Sequence, residues 1–343
     1  MFKTPPTLSR AGAAVLDFGH SSFEFVSDFK IRISNLNMPA RRAEPTLDEP
    51  DPLIRLIPIA LLALTPLASS GCMFMRWLQP AGNPSPVLFE EAPTLETLIA
   101  AINQRSDRVY GLQSTDATLS AAGIPSLSAE IAWRRPRNFR LRAGSVLTGG
   151  AELDLGSNDE LLWIWSRRNQ PPATYYCRHN QFAHSAAGRF LPVEPAWLAE
   201  AMGIVRFEPT DRHELQSLGN GEITITSAMN RSSGLRYRRV VMDERHGLIT
   251  HISVFDQNWQ ALAVANMRRH TYYAEAGVTL PRQIEVQAPP ADLNFTVNVG
   301  DYLVNQLPAD SGGMFQLPQL AGYPLVDLAD PRLGRDAALG APR

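Results

Sequence analysis

Along the chain the hydrophobic rhythm changes from a continuous run to a helical period and then to a period of two. Residues 56–68 (LIPIALLALTPLA) are apolar without a break of charge. That run of roughly 13 residues has the length of an export-signal core and falls short of the ~20 that span a bilayer. From Leu95 to Val109, the positions Leu95, Leu98, Ile99, Ile102 and Val109 approximate helical spacing behind Thr94 and Thr97, which predicts one amphipathic helix. Beyond it, Ser126–Trp133 alternates Leu127, Ala129, Ile131 and Trp133 on one face, and Phe139–Ala143 alternates apolar residues with arginine. Glu160–Arg168 and Ala173–Phe182 flank a turn at Asn169–Pro172. Gly221–Ser227, Leu235–Asp243, Leu248–Asp256, Leu262–Tyr273, Gln283–Gln287 and Leu293–Val299 continue the pattern, with turns at Glu244–Gly247 and Gln257–Trp259. About ten or eleven strands at such spacing predict a large antiparallel sheet or barrel. A short helix is expected over Pro195–Met202, with proline at its start and Gly203 at its end.

Composition narrows the chemistry. The 343 residues carry 32 basic and 34 acidic side chains, a net charge of −2, so there is no basic excess to hold nucleic acid. Two cysteines make neither a disulfide framework nor a Cys-rich zinc site. Lysine occurs only at Lys3 and Lys30, which removes Schiff-base, P-loop and lysine-base chemistry from everything downstream.

The apolar run follows Arg55 and ends in Ala68-Ser69-Ser70-Gly71 before Cys72. This resembles a bacterial lipobox. Small residues let the chain lie extended in a narrow protease site, and the thiol takes a diacylglycerol as a thioether. Ser69 stands where leucine is commonest, and acids (Glu44, Asp48, Glu49, Asp51) precede the run. The other reading is an apolar helix with an incidental terminal cysteine. Residues 1–72 are therefore read as an N-terminal extension plus lipoprotein signal, with Met38 as an alternative start. Residues 73–93, rich in Pro and Gly, read as a tether, 94–307 as the β domain, and 308–343 as a Pro/Gly-rich tail. Met73 rather than Asp after Cys72 favours the outer over the inner membrane under the enteric rule. The expected location is the cell envelope, lipid-anchored and facing the periplasm.

Candidate chemistry is sparse. Asp310-Ser311-Gly312-Gly313 imitates a serine-protease nucleophile segment without its context. Cys177 and His179 share a strand face, but no third or fourth metal ligand accompanies them. No catalytic residue, metal site or cofactor is expected. Arginines cluster at Arg134-Arg135-Arg137, Arg167-Arg168, Arg236-Arg238-Arg239 and Arg268-Arg269; a solvated outer face is one reading, contact with anionic lipid another. The aromatic group Trp163, Trp165, Tyr175, Phe182 and Trp197 serves either as core or as cavity lining.

Signal, tether, amphipathic helix and long antiparallel meander together resemble the lipoprotein-localisation factors LolA and LolB. The local likeness lies in Gly156–Phe182 and in Leu280-Pro281-Arg282-Gln283-Ile284-Glu285-Val286. Ile102–Val109 is also similar to a helix of bacterial lipoproteins without an established function. The resemblance implies a mainly β fold with few helices: a half-open antiparallel β-barrel covered by helices. It implies a non-enzymatic protein that holds lipid or lipoprotein acyl chains in an apolar cavity, with Trp163, Trp165, Tyr175 and Trp197 as candidate lining. The loop carrying Val146 and Leu147 is a candidate membrane contact by its apolar tip. The alternative is a structural envelope lipoprotein that uses the same fold to bind another protein.

Overall fold

The computed structural model describes residues 84–330, apart from 146–148, 170, 190–191, 195, 232–233 and 309–310. Cys72, Val146 and Leu147 lie outside the described residues.

Helix α1 (Leu95–Asp107) begins where Thr94 Oγ1 accepts the Thr97 N–H at 3.3 Å. It buries Leu98 and Ile102, four residues apart on one face. Strands β1 (Gly111–Ala121), β2 (Ile124–Arg134), β3 (Asn138–Ser145), β4 (Gly150–Ser157), β5 (Leu161–Ser166) and β6 (Thr174–Arg178) follow. After two 3-10 turns comes the five-residue helix α2 (Trp197–Ala201). Then come β7 (Arg212–Gly219), β8 (Glu222–Arg231), β9 (Gly234–Asp243), β10 (Ile249–Phe255), β11 (Ala261–Tyr273), β12 (Val278–Ala288), β13 (Leu293–Val299), β14 (Leu303–Val304) and β15 (Leu325–Asp327). The molecule is mainly β, and the described strands form one sheet. Its order is β15-β6-β5-β4-β3-β2-β1-β13-β12-β11-β10-β9-β8-β7, with β14 also on β1. All neighbours are antiparallel except β15 on β6, and the two meanders join through β1–β13. The order has two ends, β15 and β7, so the sheet is open.

That sheet curls about α1. Arg135, in the β2–β3 turn, donates to the Ser106 carbonyl at 2.5 Å, while Arg105 donates to the His246 carbonyl in the β9–β10 turn at 2.6 Å. β2 and β10 are five steps apart in the sheet order, about 24 Å if the sheet were flat at ~4.8 Å per strand. Adjacent helix residues reach both turns because the sheet bends around them. Asp107 completes the clasp, pairing with Arg135 at 3.8 Å and with Arg206 ahead of β7. Asn103 exchanges two hydrogen bonds with the backbone of Phe207, at 2.8 and 2.9 Å.

The inner face, toward α1 and α2, carries the core: Ile131, Trp133, Leu141, Ile225, Val240, Met242, Ile252 and Ile284 pack with Leu98 and Ile102. The outer face of β2–β5 is covered by residues 311–330. Arg134 donates to Ser311 Oγ at 3.0 Å, Arg140 to the Met314 carbonyl at 2.6 Å, and Asn158 to the Phe315 carbonyl at 3.2 Å. Tyr323 meets Trp165 edge-on at 5.2 Å. The segment then pairs with β6 as β15 and buries Leu328 beside Tyr175 and Cys177.

The helix and the later strands fall where the periodicity places them. Five described strands, β1, β4, β7, β14 and β15, lie outside the predicted set; β14 and β15 are two and three residues long, too short to show a period. β1 (GLQSTDATLSA) and β7 (RHELQSLG) are mostly polar, so their alternation is faint. In β4 the acids Glu152 and Asp154 are buried on the outer face, where arginines satisfy them.

Candidate functional site

α2 and the chain beyond it run across the inner face of the second meander, giving Trp197, Ala201, Met202, Ile204, Val205 and Phe207 to the core. Between this segment and β8–β11 lies a cavity of about 210 Å³. Its apolar wall is Phe182, Val193, Trp197, Met229, Val254 and Leu262. Its polar wall is Glu194, Glu200, Arg231, Arg236 and Arg238.

The arginines arrive by strand register. On β9, Arg236 and Arg238 share parity with Val240 and Met242, which are fully buried in the core, so both arginines point inward. On β8, Met229 stands opposite Arg236, and Arg231 follows two residues on. The expectation that this arginine cluster faces water is corrected here. Arg238 is 3% exposed, and of the three only Arg239 turns outward, over Phe255 and Trp259.

Each guanidinium has a different environment. Arg231 forms a fork with Asp211, at 3.1 and 3.0 Å. Arg238 pairs with Glu200 on α2, donates to the Arg206 carbonyl at 3.0 Å, and lies over the Phe207 ring at 4.9 Å. Burial pushes the Glu200 carboxyl up, against the pull of Arg238. Arg236 donates only to the neighbouring Leu235 carbonyl, at 3.3 Å, and has no carboxylate partner among the described residues. Two buried donors on this wall, Arg238 Nε and Trp197 Nε1, also lack a partner among the described residues.

Chemically, the wall offers apolar surface beside a cluster of N–H donors. Its acids are Glu200, tied to Arg238, and the exposed Glu194. A second cleft between the end of α1 and β11–β12 has a volume of about 30 Å³, room for about one water.

The predicted aromatic residues separate into three places. Trp197 and Phe182 line the cavity. Trp163 and Trp165 lie on the outer face of β5, under residues 311–330. There Trp163 donates to Asp154 Oδ1 at 3.0 Å. Tyr175 is on the inner face of β6, opposite Ile164, and donates to the Pro171 carbonyl at 3.0 Å. The protease-like segment and the thiol–imidazole pair are engaged structurally. Ser311 accepts from Arg134, Cys177 faces Ser185 Oγ at 3.3 Å, and His179 donates to the Asn158 carbonyl at 2.7 Å. Among the described residues no three His, Cys, Asp or Glu side chains converge as metal ligands.

Sequence reasoning did not single out Met229, Arg236, Arg238 and Glu200 as one group. A signal for the arginines was present: Arg236 and Arg238 continue the parity of Val240 and Met242.

No protein-family model matches the chain, and neither does any curated protein sequence. Solved structures do. A domain named for outer membrane lipoprotein sorting, from Vibrio parahaemolyticus, is 12% identical with a TM-score of 0.44 over 64% of this chain and 97% of that one. A LolA superfamily protein from Nitrosomonas europaea is 10% identical with a TM-score of 0.40, also over 64% of this chain and 97% of that one. At these identities and scores the likeness bears on neither site nor function.

Proposed function

We propose that this chain is a non-enzymatic, membrane-anchored binding protein that holds a lipid or an acyl chain in the cavity between α2 and β8–β11. One observation carries the reading: Phe182, Val193, Trp197, Met229, Val254 and Leu262 form an apolar wall around about 210 Å³ of space inside the curled sheet. Removing an acyl chain from water is worth about 0.8 kcal/mol per CH₂, and a cavity of this kind supplies that shelter. In this reading the curled sheet is a half-open barrel with α1 and α2 as its cover. The Cys72 lipid then places the domain at the periplasmic side of the envelope, with the outer membrane as the favoured site. Residues 73–93 serve as the tether.

The volume is below the ~300–1,000 Å³ of pockets that enclose a drug-sized ligand, so a single chain fits this reading better than a diacyl lipid. The test is organic extraction of full-length protein purified from its native membrane, followed by mass spectrometry, with Met229→Trp as the blocked control. The expected result is a stoichiometric acyl compound that is lost in Met229→Trp. An empty protein that also shows no saturable binding of added acyl compounds would overturn the reading. A stoichiometric protein partner recovered by crosslinking without lipid would favour the structural-lipoprotein alternative.

A further inference from the structure

The described residues contain five buried side-chain polar atoms without a hydrogen-bond partner: Trp165 Nε1, Thr174 Oγ1, Trp197 Nε1, Arg238 Nε and Tyr302 Oη. Two of the five belong to residues of the same cavity wall, and both are N–H donors. Leaving such donors unpaired in the interior costs about 1–3 kcal/mol each, so an acceptor that reaches them stabilises the wall. Trp197 and Arg238 are 5% and 3% exposed, so bulk water reaches them poorly.

Charge points the same way. Arg231 is matched by Asp211 and Arg238 by Glu200, whereas Arg236 has no ion-pair partner among the described residues; the remaining acid of the wall, Glu194, is exposed and pairs with none of the three. Arg236 lies on the inner face one parity step from Arg238 and directly across from apolar Met229. A cation without a carboxylate partner thus adjoins an apolar wall, and two orphan donors of lining residues lie behind the surface of that wall.

From this we propose that the ligand is a single-chain amphiphile with an anionic head, a carboxylate or a phosphate. Its head sits against Arg236, reaches Arg238 Nε and Trp197 Nε1 once those side chains turn toward it, and its chain lies along Met229, Val254 and Leu262. This deepens the acyl-binding reading above and rests on it. An anion offers more acceptor lone pairs than a hydroxyl and adds attraction between full charges at Arg236, so it is held more tightly than a neutral head. The head-group assignment therefore predicts discrimination between ligands of equal chain length.

The experiment is calorimetric titration of the full-length protein with dodecanoate, dodecyl phosphate and dodecanol. Wild type is expected to bind at least one of the anions about ten- to a hundredfold more tightly than dodecanol, the worth of one or two such bonds. Preference for dodecanoate assigns a carboxylate head, and preference for dodecyl phosphate assigns a phosphate. Arg236→Gln is expected to shrink that ratio to within about threefold of unity. Trp197→Phe keeps the ring and removes only the N–H, so it is expected to reduce the ratio by about threefold to tenfold. Urea unfolding of each variant shows that it is folded, and Trp197→Phe keeps the test available if Arg236→Gln is not. Equal affinity for all three probes in wild type would overturn the anionic head while leaving acyl binding in place. So would a ratio that both variants leave untouched. Saturable binding of none of the three would overturn acyl binding, and the head-group assignment with it.

Discussion

At the scale of single residues, Gly156 shows how closely a residue type is tied to its neighbour across the sheet. It pairs directly with Trp163 on β5, and a Cβ there would fall within the indole ring. The indole cannot withdraw, because it donates to Asp154 and is covered by the Arg140 guanidinium at 5.8 Å. Arg140 and Asp154 pair at 2.6 Å, with side chains only 15% and 7% exposed. Gly156→Ala is expected to lower unfolding free energy by about 1–3 kcal/mol, the ordinary cost of overpacking. Urea denaturation measures it, and a double-mutant cycle with Trp163→Leu should show strong coupling rather than additivity. From the amino-acid order alone Gly156 is a turn-prone residue ahead of a polar loop. Its steric role exists only once β4 and β5 are paired.

At the scale of elements, side chains take over where backbone ladders end. The β10–β11 ladder ends at His251–Asn266, and beyond it His270 donates to the Ile249 carbonyl at 2.8 Å. Burial holds the His270 imidazole below its usual pKa, and His179 behaves alike, so both favour the neutral form in the folded state. The unfolded chain takes up protons near pH 6.5, ahead of the folded one. The stabilising term is therefore present above that value and is lost as pH falls through the lowered folded pKa. The urea midpoint is expected to drop between about pH 7 and pH 5, and the drop should be shallower in His270→Gln. Legibility at this scale followed polarity. α1, β2 and β8–β13 have apolar positions on one face and could be read from their period. β1, β4 and β7 hide their inward face among Ser, Thr, Glu and Asp, which are acceptable there only because the partners are already placed. The arginines of β9 are the same case reversed. Their parity pointed inward, but their charge suggested the surface until Glu200, Arg206 and Phe207 were found around Arg238.

At the scale of the whole molecule, residues 311–330 are part of the fold's cover. They bury Phe315 on the outer face, add β15 to the β6 edge and bury Leu328 on the far side of that edge. Removal of residues 311–343 is expected to cost about 3–6 kcal/mol, from two buried apolar side chains at ~1.5–3 kcal/mol each. Tryptophan emission should shift to longer wavelength as Trp163 and Trp165 meet water, and chemical unfolding gives the stability change. A truncated protein with unaltered emission and stability would show that the segment contributes nothing to the fold.

The amino-acid sequence by itself determined the class of the molecule: a period-two pattern over two hundred residues can bury its apolar face only by building a sheet. It also determined where α1 lies and which chemistries lysine and cysteine scarcity excludes. Tertiary structure alone decided which face of a strand such as β5 (LLWIWS) looks toward the helices, because a strand apolar on both faces offers two equivalent choices until other elements cover them. α1 and α2 cover one face and residues 311–330 the other, which sent Trp163 and Trp165 to one side of the sheet and Arg236, Arg238 and Met229 to the other. The candidate site therefore belongs to no single motif. It forms where α2, β8 and β9 bring a carboxylate, three arginines and, with β10 and β11, an apolar wall to one cavity.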